Sequence, residues 1–401
     1  MSNDEAAAEA LALSRGAIDV LPLGELERKS ARAREEGRAL RVKLGIDPTA
    51  PDIHLGHAVV LRKLREFQDA GHKVVLIVGD MTAQVGDPSG RSELRPVLSA
   101  EAIEANAQSY QDQALRILRA EPESLEVRRN SEWLEMNLPE ILKLLATTTV
   151  AQVIERDDFS KRIAAGQPLS MLEVIYPLLQ GYDSVAVHAD VELGGTDQKF
   201  NLLMGRDIQR AYGEEEQAIL TMPILVGTDG ERKMSKSLGN DIGVSEAPAQ
   251  IYGKTMSLPD DAMPSYYSLL LGVEQPTDLS PRDAKRALAR GLVGWLYSEH
   301  EAERAEASFD RVFLDRQVPE EMPVLRLEGA LLADAQRAHM PAVIASAFGV
   351  SRSEARRLIT DGAVSLGAER LAGKDLDVPT ERLAGRVLQV GKRRFVRLEA
   401  P

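Results

Sequence analysis

The sequence predicts an α/β protein built on a doubly wound parallel sheet, Rossmann-like, followed by a helical middle region and a small α+β region at the carboxyl end. Three observations carry that expectation. Short β-rich runs alternate with helical segments through the first 240 residues, the order that gives parallel strands joined by crossover helices. Val74-Val75-Leu76-Ile77-Val78 is a continuous apolar run, as a strand covered on both faces requires. Loops containing His54-Leu55-Gly56-His57, Gly194-Gly195-Thr196-Asp197-Gln198 and Lys233-Met234-Ser235-Lys236-Ser237 each follow an expected strand, where an open α/β sheet binds its ligands.

Residues 11–37 read as an amphipathic, mainly helical leader. Residues 41–46 alternate as a strand, which Asp47-Pro48-Thr49 breaks. Val60, Leu61, Leu64 and Phe67 give residues 58–70 a helical spacing that ends at Gly71. The same reasoning predicts helix over 99–119, strand over 125–128, helices over 139–147 and 171–181, strand at Val185-Ala186-Val187, and helix over 199–212. From 245 to about 316 the pattern is helical, and Pro319-Glu320-Glu321-Met322-Pro323 opens a linker. The expected organisation is residues 1–240 as a Rossmann-like domain, 241–320 as a helical domain, 321–339 as a linker and 340–401 as a small terminal domain. In that last part Ser351-Arg352-Ser353-Glu354 reads as a capping box opening a helix that places Arg352 and Arg356 on one face, beside Arg357. Asp361-Gly362 ends the helix, residues 363–366 read as a strand, and 386–398 as a hairpin carrying Lys392-Arg393-Arg394.

A chain of 401 residues can hold two or three domains, and 44% hydrophobic with 28% charged residues is the balance of an ordinary globular protein. The absence of cysteine excludes disulfides, cysteine-bound zinc and thiol catalysis. The acidic first residues lack a secretory pattern and no apolar run has the length of a membrane span, so a cytoplasmic protein without membrane contact is expected. The net charge of −13 is unevenly spread: residues 340–401 hold 11 Lys+Arg against 7 Asp+Glu, leaving −17 on the rest. A basic end on an acidic body suits contact with RNA at that end, although charge alone favours a solvated tail.

His54 and His57 lie at an expected helix start, where free backbone N–H groups favour anions, and both rings can donate to phosphate oxygens. Gly56 between them allows close approach to the backbone. Taken alone, a pair of helix-cap histidines is an equal reading. Lys233 and Lys236 lie in a glycine-rich, charged segment, 227–243, that reads as a mobile loop able to close over an anionic ligand. A lone lysine pair is commonly just a solvated basic loop. Gly86-Asp87-Pro88-Ser89-Gly90-Arg91-Ser92-Glu93-Leu94-Arg95 lacks the glycine–lysine ending of a Walker-type loop. Its Arg91 and Arg95, four apart, can reach phosphate from one side, though a surface salt bridge explains either arginine singly.

In this order the histidine and lysine motifs resemble those of the class I aminoacyl-tRNA synthetases, which hold ATP with both. The likeness narrows further. The run from Asp47 through Pro48-Thr49-Ala50-Pro51-Asp52-Ile53 to His57, the Gly86–Gly90 segment, Tyr176-Pro177-Leu178-Leu179-Gln180-Gly181-Tyr182-Asp183 and Gly194-Gly195-Thr196-Asp197-Gln198-Lys199-Phe200-Asn201 resemble the bacterial tyrosyl-tRNA synthetases. They do so in the family's order and over nearly the whole chain.

That resemblance implies a tyrosine–tRNA ligase, which activates L-tyrosine with ATP to tyrosyl-adenylate and transfers it to the 3′ end of tRNA(Tyr). Mg2+ would accompany ATP, with no tightly bound cofactor and no dedicated metal site. A homodimer would form through residues 148–171. The terminal domain is similar to an RNA-binding module of S-four type, shared with a small-subunit ribosomal protein and pseudouridine synthases. By the same resemblance Asp87, Tyr176 and Gln180 match positions that bind the α-amino group, and Asp183 the carboxylate that accepts from the phenol. Asp47, Gly194, Asp197 and Gln198 match positions around the adenylate. Thr49, His54, Gly56, His57, Arg91, Arg95, Lys233 and Lys236 match those near the phosphates, and Arg352, Arg356 and Arg357 those that meet RNA.

The residue types agree independently. An ammonium needs acceptors, and telling tyrosine from phenylalanine needs a buried polar partner that phenylalanine leaves unpaired. There are two departures. Lys43 stands where many members carry a tyrosine that helps bind the phenol, as in a variant branch lacking it, and the sequence leaves open whether Lys43 meets Asp183. Arg91 stands where lysine is common. Three rival readings are a tryptophan–tRNA ligase, a nucleotidylyltransferase using His-x-Gly-His without charging tRNA, and an RNA-binding scaffold on an inactive fold. Asp183 and the basic terminal domain speak against the first, the basic domain and the length against the second, and the intact motifs against the third.

Overall fold

The computed structural model describes residues 3–49, 51–88, 99–313, 322–334, 336–367, 369–371, 373, 376–391 and 394–399. They form two compact units, Met1–Glu303 and Arg304–Pro401.

The first unit opens with α1 (Asn3–Leu13), β1 (Asp19–Leu21), α2 (Glu25–Glu35), β2 (Arg41–Ile46), α3 (Leu55–Asp69) and β3 (Lys73–Val78). There follow α4 (Thr82–Val85), α5 (Ala100–Ala114), β4 (Leu125–Arg129), α6 (Ser131–Leu134), α7 (Leu138–Leu145), α8 (Val150–Ile154) and α9 (Asp157–Ala164). Next come α10 (Met171–Ala186), β5 (Val191–Gly195), α11 (Lys199–Ala211) and β6 (Ala218–Met222), then α12 (Pro248–Thr255), α13 (Met263–Tyr266) and α14 (Pro281–Leu296). The division between the units falls within α15 (Glu299–Phe313).

Six strands lie in the order β1-β6-β5-β2-β3-β4. All neighbours are parallel except β1, which pairs antiparallel with β6. From β2 the chain winds outward through β3 and β4, then returns to place β5 on the other side of β2. The switch in winding therefore falls between β2 and β5, where an open α/β sheet leaves a crevice at its strand ends. Helices cover both faces, and Val74, Val75 and Ile77 of β3 are fully buried, as their unbroken apolar run requires.

The leader is mainly helical, as expected, with Asp19–Leu21 adding an edge strand. One expectation for this unit needs correction. Val185-Ala186-Val187 is not a strand. Ser170 and Glu173 form a reciprocal capping box, and the helix they start runs on through Ala186. Val185 packs there with Met204 and Ile208, and Val187 with Val75 and Ile77. A three-residue β-branched run cannot by itself distinguish a strand from the buried end of a helix.

The second unit contains β7 (Val324–Arg326), β8 (Leu332–Asp334), β9 (Arg337–His339), α16 (Met340–Phe348), α17 (Arg352–Thr360), β10 (Val364–Leu366) and β11 (Glu369–Arg370). It ends with β12 (Asp377–Pro379), α18 (Thr380–Leu383), β13 (Val387–Val390) and β14 (Arg394–Glu399). A sheet ordered β11-β10-β13-β14-β7 and a smaller one ordered β12-β9-β8 enclose a core that includes Leu327, Ile344, Ile359, Leu388 and Leu398. Residues 324–339, expected within the linker, thus form three strands of this unit. β8 pairs with its neighbour β9, while β7 and β9 also find partners far along the chain, with Val324 beside Arg397 and Ala338 beside Val378. Ser351 caps α17 by accepting from the Glu354 N–H at 3.1 Å.

Candidate active site

The carboxyl ends of β2, β3, β4 and β5 place four loops around the switch point. Asp47 directly follows β2. One of its carboxylate oxygens accepts from the Thr82 hydroxyl at 2.7 Å, the other from the Tyr176 phenol at 2.8 Å. Gly79, just past β3, makes this possible: a Cβ there would overlap both the Asp47 carboxylate and the Thr82 hydroxyl. From the end of β4, Asn130 donates to the Thr82 hydroxyl at 2.9 Å and to Asp183 at 3.5 Å. Trp133 donates its indole N–H to the other Asp183 oxygen at 2.8 Å.

Three carboxylates meet around one buried phenol. Burial raises the Tyr176 pKa well above its ordinary value, and Asp47, Asp87 and Asp183 push it further. Burial also pushes Asp47 up to about 7, against the hydrogen bonds from Thr82 and Tyr176 and with the repulsion of Asp87 and Asp183. Asp183 rises to about 6 through burial, restrained by the charge of Lys43 and the bonds from Trp133 and Asn130. A pocket of this sign favours a cationic group, and its rim of oxygens can accept ammonium protons.

Beneath it, Lys43 on β2 is fully buried and pairs at 2.9 Å with Glu192 on β5. Gln180 links this pair to the loop after β5. Its amide donates weakly to Glu192 at 3.4 Å, and its oxygen accepts from Asn201 at 2.8 Å. Asn201 also donates to Gln198 at 3.1 Å, and Gln198 to Asp87 at 2.6 Å. Arg156 holds the Asn201 oxygen at 3.1 Å. Asp87, Gln180 and Gln198 are thereby joined in one hydrogen-bonded chain. The question the sequence left open for Lys43 has an answer: its hydrogen bonds go to Glu192 and α10, while its charge is felt at Asp183.

The histidine motif caps α3. The His54 ring accepts from the Gly56 N–H at 3.2 Å, and the His57 ring from the His54 N–H at 3.4 Å, both through Nδ1. Each ring therefore carries its proton on Nε2 when neutral. Both are neutral near pH 7: burial and the charges of Lys233 and Lys236 bring His54 down to about 4, and burial takes His57 well below its usual range. The rings stack with centroids 4.0 Å apart. Gly56 is needed for that packing, because a Cβ would stand 2.9 Å from the His54 ring.

The lysine motif comes to the same place. His54 bridges to Gly243, the Leu55 N–H reaches the Ile242 carbonyl at 2.9 Å, and Met234 is buried beside Gly56. Lys233 pairs with Asp197, and Lys236 with Asp52. The segment expected to be a mobile loop is therefore pinned at Met234 and at Asn240, whose side chain accepts from the Ser235 N–H at 2.8 Å. Both of its lysines are held by carboxylates.

Gly194 packs on Gln198 and Leu202, and the Thr49 N–H reaches the Asp47 carbonyl at 2.8 Å. Arg91 and Arg95 lie outside the described residues, as do Lys392 and Arg393. Arg352, Arg356 and Arg357 belong to the second unit, exposed along α17, with Arg357 paired to Glu354 at 2.7 Å. Sequence reasoning missed Thr82, Asn130, Trp133 and Glu192, which no local motif marks and only the sheet order brings in. Asn201 ends the Gly194–Asn201 run, but the sequence assigned it no role.

Comparison with known proteins gives the family of the chain. Residues 35–314 match the tRNA synthetases class I (W and Y). A tyrosine–tRNA ligase of Moorella thermoacetica is 47% identical over 407 residues, spanning 98% of this chain and 96% of its own. One from Thermotoga maritima is 45% identical over 398 residues, spanning 96% of both. Among solved structures, a C-terminally truncated mitochondrial tyrosyl-tRNA synthetase of Aspergillus nidulans superposes with a TM-score of 0.64 at 23% identity, covering 78% of this chain and 99% of its own. The tyrosyl-tRNA synthetase of Archaeoglobus fulgidus, in complex with L-tyrosine, gives 0.58 at 21% identity, covering 75% and 99%. At these identities the structures support the Rossmann-like fold, while the full-length relatives go further. The chain belongs to the class I tRNA synthetases of the W and Y group and, within it, to the tyrosine–tRNA ligase family.

Proposed function

We infer that this chain is a tyrosine–tRNA ligase that uses ATP. The observation that carries the reading is the meeting of an acidic, buried pocket around Tyr176 with the joined histidine and lysine motifs at one end of the sheet. In our reading the substrate ammonium lies against Asp87, Tyr176 and Gln180, and the phenol donates to Asp183. Asp47, Gly194, Asp197 and Gln198 line the adenylate, and Thr49, Gly56 and the two histidines lie at the ATP phosphates, with Arg91 and Arg95 assigned there by sequence alone. The tyrosine carboxylate attacks the α-phosphorus in line and pyrophosphate leaves. Lys233 and Lys236 exchange Asp197 and Asp52 for the departing phosphates, offsetting charge as it develops. The terminal ribose hydroxyl of tRNA(Tyr) then attacks the mixed anhydride and AMP leaves. No side chain forms a covalent bond, so the rate comes from orientation and charge.

Mg2+ would accompany ATP as its counter-ion. Among the described residues no group of three or more His, Asp or Glu is placed to hold a metal ion. The arginines of α17 meet RNA phosphates in this reading. The partner of the first unit is a second copy of the chain. Leu138, Leu142, Val150, Ile163, Met171 and Leu172 all lie exposed between α7 and the start of α10, spanning the segment expected to dimerise. Among the described residues no helix is long and apolar enough to cross a membrane, and the reading places the chain with its tRNA in the cytoplasm.

The deciding experiment is exchange of labelled pyrophosphate into ATP, with each of the twenty amino acids supplied separately. Exchange with tyrosine alone is expected. Exchange with tryptophan would overturn the pocket assignment, and none at all would overturn the ligase reading.

A further inference from the structure

Lys43 and Glu192 face each other across the switch point, as Cα partners on parallel neighbours β2 and β5. Both are sealed from water, at 0% and 1% side-chain exposure. The three N–H groups of the ammonium have three acceptors: Glu192 at 2.9 Å, the Gln180 carbonyl at 2.9 Å and the Ser184 hydroxyl at 2.8 Å. The last two lie one turn apart on α10 and bracket the turn carrying Gln180 and Asp183. Glu192 completes the clamp, accepting from Ser184 at 3.2 Å and from the Gln217 amide.

This stretch of α10 needs outside support. Pro177, inside the helix, has no N–H for the carbonyl one turn back, so the substrate turn follows a weakened point in the ladder. Close packing seals the clamp. A Cβ on Gly205 would press on Glu192, Ser184 and Gln217, and one on Gly181 would meet the α11 backbone at 3.3 Å. A buried ion pair is seldom more stable than apolar side chains of the same volume. Stability alone therefore does not account for the pair.

We propose that the Lys43–Glu192 pair is a positioning clamp, fixing the turn of α10 from which Gln180 and Asp183 reach tyrosine. The inference rests on the tyrosine–tRNA ligase reading. Lys43 touches no reacting atom and acts through α10. The clamp sets tyrosine affinity and the choice against phenylalanine, and leaves ATP affinity to the other loops.

Lys43→Met alone strands a buried carboxylate, so the test uses Lys43→Met with Glu192→Gln, which removes both charges and leaves an acceptor for Ser184 and Gln217. Ser184→Ala is the second variant, since it deletes one acceptor and keeps both charges. Tyrosine-dependent pyrophosphate exchange is measured with KM for tyrosine and for ATP, an active-site titre, and the tyrosine-to-phenylalanine ratio of kcat/KM. The double variant is expected to raise KM for tyrosine about 10-fold or more, as expected for ~1.4 kcal/mol of lost positioning. Ser184→Ala should raise it about 3- to 10-fold, as for one hydrogen bond. In both, KM for ATP stays within about 2-fold, well under the 10-fold step above, and the selectivity ratio falls. A folded variant with both KM values and the ratio unchanged overturns the proposal. So does a loss confined to the titre, because that is a stability effect. If the unsubstituted chain shows no tyrosine-dependent exchange, the ligase reading fails first and this inference with it.

Discussion

Replacing Asp183 with asparagine separates what this carboxylate does for the fold from what it does for the substrate. Burial holds its pKa at about 6, against 3.8 in water. At pH 7.5 the fold therefore carries a charge it would rather lose, at a cost of about 3 kcal/mol by the usual conversion. The sign follows from a raised acid pKa. The folded state binds the proton more tightly, so stability falls as pH rises from about 3.8 to about 6 and stays low above that. Asparagine removes the cost. Its oxygen can still accept from Trp133, while its amide faces the Asn130 amide, donor to donor, losing the weaker contact at 3.5 Å. These effects oppose each other to within about 2 kcal/mol, taking about 1 kcal/mol for a lost hydrogen bond. Asp183→Asn should thus melt no lower than the native chain at pH 7.5, and its relative advantage should shrink as pH falls towards 5. Function moves the other way. A phenol donating to a carboxylate gains about 1.5–3 kcal/mol, so kcat/KM for tyrosine should fall about 10- to 150-fold with phenylalanine unchanged. Pyrophosphate exchange with both amino acids, beside thermal melts at the two pH values, reads every part. A large drop in melting temperature with selectivity intact would refute the reasoning and make Asp183 an anchor for Trp133 instead.

Three further outcomes follow from the same geometry. Lys233→Ala with Lys236→Ala should slow adenylate formation by about 100-fold or more while changing tyrosine affinity little, because the lysines act on leaving charge; unaltered single-turnover rates would remove that role. Gly79→Ala should cut tyrosine-dependent exchange by at least about 10-fold, the order of one displaced charge-bearing contact, since the new Cβ must move Asp47 or Thr82; full activity with an unchanged circular dichroism spectrum would show that the loop yields freely. Arg352→Ala with Arg356→Ala should weaken tRNA binding and lower the slope of log K against log salt by about 1.4–1.8, as for two lost phosphate contacts. The same change must leave pyrophosphate exchange intact, and an unaltered slope would take these arginines out of the RNA contact.

How far the site could be read in the sequence depended on how local each cause is. Tyr176 and Gln180 are four apart, so one helical turn explains their shared origin on α10, and Asp47 follows its strand at a proline break. The histidine motif was legible as a helix start because backbone caps are local. What the rings do there was not: their stacking, and the backbone bonds that leave the proton on Nε2, depend on Gly56 lacking a Cβ. Lys43 shows the limit most clearly. Alternation places it in a strand, yet a lysine in a strand ordinarily points to water. Its burial is decided by Glu192, about 150 residues on, which the return of the chain at the switch point sets directly opposite. Asn130 and Trp133 enter in the same way, from the end of β4, to hold Asp183. The residues assigned to the substrate carry a local signature, and those that hold them are brought in by the order of strands. A chain with the same motifs but a different group at position 43 would keep the chemistry of activation and change how tyrosine is held.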